Sequence, residues 1–98
     1  MKIQFLEAAQ SEFEEAIDFY NQQRTGLGVE FADEVEQALE RVRHYPEAWS
    51  PLSRRVRRCL VNRFPFGVIY EVRAEVFLIV AIQHCHQEPE TWRKRLRD

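Results

Sequence analysis

A chain of 98 residues that is 45% hydrophobic and 31% charged fits one domain over 1–98 with bulk for one core. A disordered, collagen-like or low-complexity chain is excluded. The net charge of −2 is unevenly shared, with four basic and eleven acidic groups in residues 1–53 (−7) against ten basic and five acidic in residues 54–98 (+5).

Ile3 and Phe5 alternate with Lys2 and Gln4, which predicts a short strand with one buried face. From about Ala8 the period changes. Ala9, Phe13, Ala16, Ile17 and Tyr20 fall at helical spacing, with Glu12, Glu14, Glu15 and Asp18 off that stripe. The run from Asn21 to Gly26 ends this helix. A second helix follows Gly28 on the stripe Phe31, Val35, Ala38, Leu39 and Val42, and the short connection makes the two a hairpin. Tyr45-Pro46 stops it, because proline disfavours helical geometry in the residue before it.

Three β-like runs come next, at 55–63, 66–73 and 76–84, rich in Val, Ile, Phe and Tyr. Their short connections imply an antiparallel meander. The segment 90–96 reads as a short basic helix. The predicted order is β-α-α-β-β-β-α: an α+β fold with the helical hairpin packed on a small, mainly antiparallel sheet.

Three groups of residues could carry chemistry. The first is Arg54, Arg55, Arg57, Arg58 and Arg63. In a strand, Arg55, Arg57 and Arg63 would share a face, opposite Val56 and Leu60. Arginine's planar donor fork suits phosphate, and a row of cations also discourages strand-to-strand aggregation. The second is His84-Cys85-His86, where period two puts the two imidazoles on one face. They could act as acid and base, or simply bond the adjacent loop. Zinc would need further ligands that the spacing does not supply, so neither metal nor cofactor is expected. The third is Trp92 with Arg93, Lys94, Arg95 and Arg97, which could grip a nucleic acid or anchor the last helix. Cys59 and Cys85 are too few for a disulfide framework and read as small apolar groups. The N-terminus has no apolar leader, and the longest apolar run, 76–82, is far below the ~20 residues of a membrane helix. A soluble cytoplasmic protein that touches no membrane is expected.

Several short patterns occur in a telling order: Ala16-Ile17-Asp18-Phe19-Tyr20, Gly26-Leu27-Gly28 with Phe31, and Tyr45-Pro46. Val56-Arg57-Arg58, Arg63-Phe64-Pro65-Phe66, Ile69-Tyr70 and Ala81-Ile82-Gln83-His84-Cys85-His86 follow, then Pro89, Trp92, Arg93 and Arg95. In this the chain resembles the RelE/ParE family of toxins from bacterial type II toxin–antitoxin systems, nearest the ParE-like plasmid-stabilisation branch. The resemblance implies a toxin held silent by a cognate antitoxin. ParE-like members poison DNA gyrase without being enzymes, and RelE-like members cut messenger RNA on the ribosome.

The chain departs from the RelE pattern. Gly67 stands where that branch often has Arg, His86 where it has a late Arg, and Trp92 where it has Tyr. Gln87 replaces an Arg common in the plasmid-stabilisation branch. The resemblance thus implies a gyrase inhibitor with Arg57, Arg63, His84, His86, Trp92 and Arg93 as target contacts. The alternatives are a ribosome-dependent endoribonuclease using His84, His86 and Arg57, and a non-toxic module that only binds antitoxin. A homodimer stays open.

Overall fold

The computed structural model describes residues 1–87 and 90–96. It begins with strand β1, Lys2–Phe5, and two helices, α1, Glu7–Gln23, and α2, Leu27–His44. Four strands follow: β2, Ser50–Pro51, β3, Val56–Leu60, β4, Phe66–Val72, and β5, Val76–His84. A 3-10 helix, Thr91–Leu96, comes last. The sheet order is β1-β5-β4-β3-β2, with β1 parallel to β5 and every other pair antiparallel.

The α+β class, the hairpin and the meander match the expected fold. Three details differ. The two-residue strand β2 was not foreseen, because Ser50-Pro51 carries no β pattern and exists by pairing with Arg58 and Arg57. β3 stops at Leu60, so Arg63 lies in the following loop, where its φ of 71° is left-handed. The last element is a 3-10 rather than an α-helix.

The helical hairpin covers one face of the sheet. Phe13, Phe31, Val35, Leu39 and Val42 pack there on Cys59, Val68, Tyr70, Phe77, Ile79 and Ile82. Burying each large side chain contributes about 1.5–3 kcal/mol. The two helices approach closely at Gly28, where a Cβ would lie 2.3 Å from the Ile17 carbonyl oxygen. Asn21 Oδ1 accepts the Gly28 N–H at 2.8 Å, which closes the hairpin. On the opposite face a smaller core joins Val56, Ile69, Leu78, Val80 and Ala81 beneath Trp92 of the 3-10 helix.

The long strand β5 is irregular. Ala81 pairs with Ile69 and Ile79 with Tyr70, so Val80 is an extra residue, a β-bulge. Side-chain alternation resets there. Val80 and Ala81 both face the 3-10 helix, and Ile82 returns to the helical side. β1 pairs with β5 only as far as Ile79, so among the described residues β5 has no neighbouring strand on that side beyond it. Two side chains bond the backbone there: Arg95 Nη1 donates to Val80 O at 2.9 Å, and Glu12 Oε1 accepts from Ile82 N at 3.1 Å. Arg95 and Glu12 also form a two-pronged ion pair, both contacts at 2.8 Å.

Candidate functional site

The sequence candidates fall at two ends of the sheet. β3 pairs Arg57 with Tyr70, and β4 pairs Phe66 with His84. The four residue steps from Phe66 to Tyr70 separate the two positions by roughly 13 Å along the strand. The structure therefore brings His84 and His86 together and leaves Arg57 at the far end.

The histidine end is built by the turn after β5. Cys85 N–H donates to the Pro65 carbonyl at 2.8 Å, which ties this turn to the β3–β4 loop. The rings of His84 and His86 are 5.1 Å apart, and His84 lies edge-on to Phe66 at 5.2 Å. His86 N–H donates to His84 Nδ1 at 3.1 Å. That bond makes Nδ1 the acceptor, so neutral His84 carries its proton on Nε2. Gln87 Oε1 accepts from His84 N at 3.1 Å, a role that Arg, which has no acceptor, would not fill. A cleft of about 230 Å³ opens here between α1 and β5, lined by Glu12, Glu15, Phe66, His84 and Gln87. It offers an imidazole and a carboxylate for hydrogen bonding. Cys85 is exposed, contrary to its reading as a packed group, because it sits in the turn beyond the strand; Cys59 is buried, and burial pushes its thiol up.

The arginine end is built by β2, β3 and the loops beside them. Arg57 Nη1 donates to the Trp49 carbonyl at 2.8 Å. Tyr70, opposite Arg57, is fully buried and donates its hydroxyl to Pro46 O at 2.6 Å. Burial pushes that hydroxyl up to about 12. Arg54, Arg55 and Arg57 line a cleft of about 280 Å³ with Pro46, Glu47 and Val72. Arg58 takes the opposite face and lies across Gly67, where a Cβ would come within 2.9 Å of its Cγ and Cδ. The bare Gly67 is thus what seats Arg58.

The remaining candidates are engaged within the fold. Arg63 leaves the strand face predicted for it and turns to α2. There it meets Glu30 Oε1 at 2.6 Å and Glu34 Oε2 at 3.6 Å. This hydrogen bond holds the Glu30 carboxyl below its ordinary value and raises the Arg63 guanidinium. Trp92 is 2% exposed and anchors the 3-10 helix. Arg93 stacks 4.6 Å from its ring centroid and pairs with Glu90. Arg97 lies outside the described residues. Among the described residues no three His, Cys, Asp or Glu side chains are grouped to hold a metal ion.

Sequence reading missed Glu12. It stood only as a charge off the apolar stripe, and no spacing links it to Arg95 or Ile82. Arg41 was missed as well; it reaches from α2 to donate to Leu60 O at 2.9 Å.

A family model described as the ParE toxin of type II toxin–antitoxin system, parDE, matches residues 3–89. The chain belongs to the ParE toxin family. The fold of the chromosomal ParDE toxin–antitoxin system from P. aeruginosa is similar, with a TM-score of 0.68 at 15% identity. That likeness covers 86% of this chain and 95% of the other. No curated protein sequence matches. The match to the ParE family spans both ends of the sheet, from β1 through the His84–His86 turn. No helix among the described residues is long and apolar enough to cross a membrane.

Proposed function

We propose that this ParE-family toxin is a cytoplasmic inhibitor of DNA gyrase that acts by binding rather than by catalysis, and that a cognate antitoxin neutralises it. The observation that carries the reading is the ParE family match over residues 3–89. The separation of Arg57 from His84 and His86 also supports it. Cleaving RNA needs a base at the 2′-OH and cations at the phosphorane in one place. Exposed His86, half-exposed His84 and Arg57 are the proposed gyrase contacts, with Arg63 and Arg93 secondary because each already holds a carboxylate. Trp92, being buried, positions the C-terminal segment rather than touching a target.

The test is growth after induction of this chain alone, with RNA and nucleoids sampled together, followed by gyrase supercoiling with purified protein. Arrest with intact RNA, damaged or unsegregated DNA and inhibited supercoiling is expected. Unchanged supercoiling with messenger RNA cut inside translated codons would overturn the reading in favour of the endoribonuclease. No arrest at verified soluble expression would leave a module that only binds antitoxin.

A further inference from the structure

Eleven arginines lie among the described residues, and six of them hold a carboxylate within 4 Å: Arg24, Arg43, Arg63, Arg73, Arg93 and Arg95. The other five are Arg41, Arg54, Arg55, Arg57 and Arg58. All five line the two clefts beside β2 and β3. Arg54, Arg55 and Arg57 line the cleft of about 280 Å³. Arg41 and Arg58 line a second, of about 240 Å³, with Trp49, Ser50 and Leu60. The pairings Ser50 with Arg58 and Pro51 with Arg57 put both clefts beside one sheet edge, β2–β3.

Two of the five are oriented without being neutralised, because Arg41 and Arg57 donate to the backbone carbonyls of Leu60 and Trp49. Arg58 Nε is buried with no hydrogen-bond partner among the described residues. Among the described residues Glu47 is the only carboxylate lining either cleft, and it forms no ion pair within 4 Å there. Four of these five arginines, Arg54, Arg55, Arg57 and Arg58, come from the basic C-terminal half, so much of its surplus charge lies on this edge.

We propose that this edge is a sequence-independent contact site for the phosphate backbone of duplex DNA. Guanidinium forks match phosphate oxygens in two-point geometry. An acidic protein partner would need a buried apolar anchor at the centre of its contact. Here the apolar lining is the half-buried Pro46 and Val72 in one cleft, and in the other the half-buried Trp49 with the exposed Ala48 and Leu60, so neither cleft holds a deep apolar pocket for such an anchor. A single-stranded nucleic acid would need exposed rings for its bases. Tyr45, the exposed ring nearest in sequence, lines neither cleft, and the Trp49 indole N–H is turned inward to Arg41 O at 3.3 Å. Cations without stacking rings fit a duplex, whose outward face is phosphate.

The site goes beyond the gyrase reading and does not depend on it. For a gyrase-directed toxin it supplies a foothold on the enzyme's own substrate.

The test is fluorescence anisotropy of a labelled duplex of arbitrary sequence with the full purified chain, over a salt series and without gyrase. Five phosphate contacts, one for each arginine, predict a log–log salt slope of about −4 to −5, or about five-hundredfold weaker binding on going from about 50 to about 200 mM salt. The double variant Arg54→Ala, Arg55→Ala removes two exposed side chains that bond nothing else among the described residues. Its slope should be shallower by about 2. Arg43→Ala, a change on α2 away from the edge, should bind like the parent, and thermal unfolding checks that all three chains fold. Absence of binding at low salt, or a double variant indistinguishable from Arg43→Ala, overturns the proposal. Tighter binding of single-stranded RNA or of a polyglutamate peptide than of the duplex overturns it too.

Discussion

Gly28 shows how one missing Cβ fixes the helical layer. Helix propensity alone would make alanine better than glycine by about 1 kcal/mol. At this position the added carbon would meet the backbone oxygen of Ile17 at 2.3 Å, an atom that cannot move without shifting α1. The steric effect should win, and Gly28→Ala should lose about 1–3 kcal/mol, read from urea unfolding midpoints. A variant as stable as the parent would show that the hairpin relaxes freely. Tyr70 makes a second prediction. Its folded hydroxyl stands near 12 against an ordinary 10.0, so the neutral form is favoured in the fold. The stability this adds is complete below pH 10 and lost as pH rises toward 12. Tyr70→Phe should flatten that alkaline decline in thermal unfolding measured against pH, while losing about 1 kcal/mol at neutral pH with the bond to Pro46 O. An unchanged alkaline slope would place its cause elsewhere.

At the scale of elements, the bulge in β5 decides which side chains meet. Unbroken alternation from Phe77 would have sent Ile82 and His84 to the face of Leu78. The extra residue Val80 returns Ile82 to the helical face, and His84 sits beside Phe66. Sequence reading found the strand and the proximity of His84 and His86, because local apolar density and a two-residue separation are both visible in the chain. It could not find the bulge, since every residue from Phe77 to Ile82 is apolar and the pattern has no face to lose. Nor could it find the pair that stabilises the bulge, since Glu12 and Arg95 meet only after the fold closes. The one-residue excess of β5 is held by this pair, so it should be the weak point of the strand. Arg95→Met leaves Val80 O and Glu12 short of a donor, and should cost about 1–3 kcal/mol. Glu12→Ala should speed exchange of the Ile82 amide in hydrogen-exchange measurements while amides of the β3–β4 ladder keep their protection. Equal acceleration in both places would mean global destabilisation and would refute a local role.

Across the whole molecule, the charge division seen in sequence is partly cancelled by the fold. Arg63 crosses from the basic half to Glu30 and Glu34 on α2, and Arg95 crosses to Glu12 on α1. These contacts bind the helical layer to the sheet side, and the arginines they leave over collect at the β2–β3 edge. The Arg63–Glu30 pair should give the assembled fold a small acid sensitivity. The Glu30 carboxyl is held below its ordinary value of 4.5, first by the Arg63 hydrogen bond and then by the charges of Arg24 and Arg63. A depressed folded-state value means that the stabilisation is present above pH 4.5 and fades as pH falls through the lower folded value. The pair is solvent-exposed, so the effect is small and should weaken further at high salt. Glu30→Gln should therefore show a shallower fall of melting temperature on acidification than the parent, and about 1 M NaCl should bring the two curves together. If the acid limbs coincide at low salt, the link between the two halves rests on packing of Phe31 and Phe64, whose rings meet edge-on at 5.2 Å, and the ion pair is only a consequence of it.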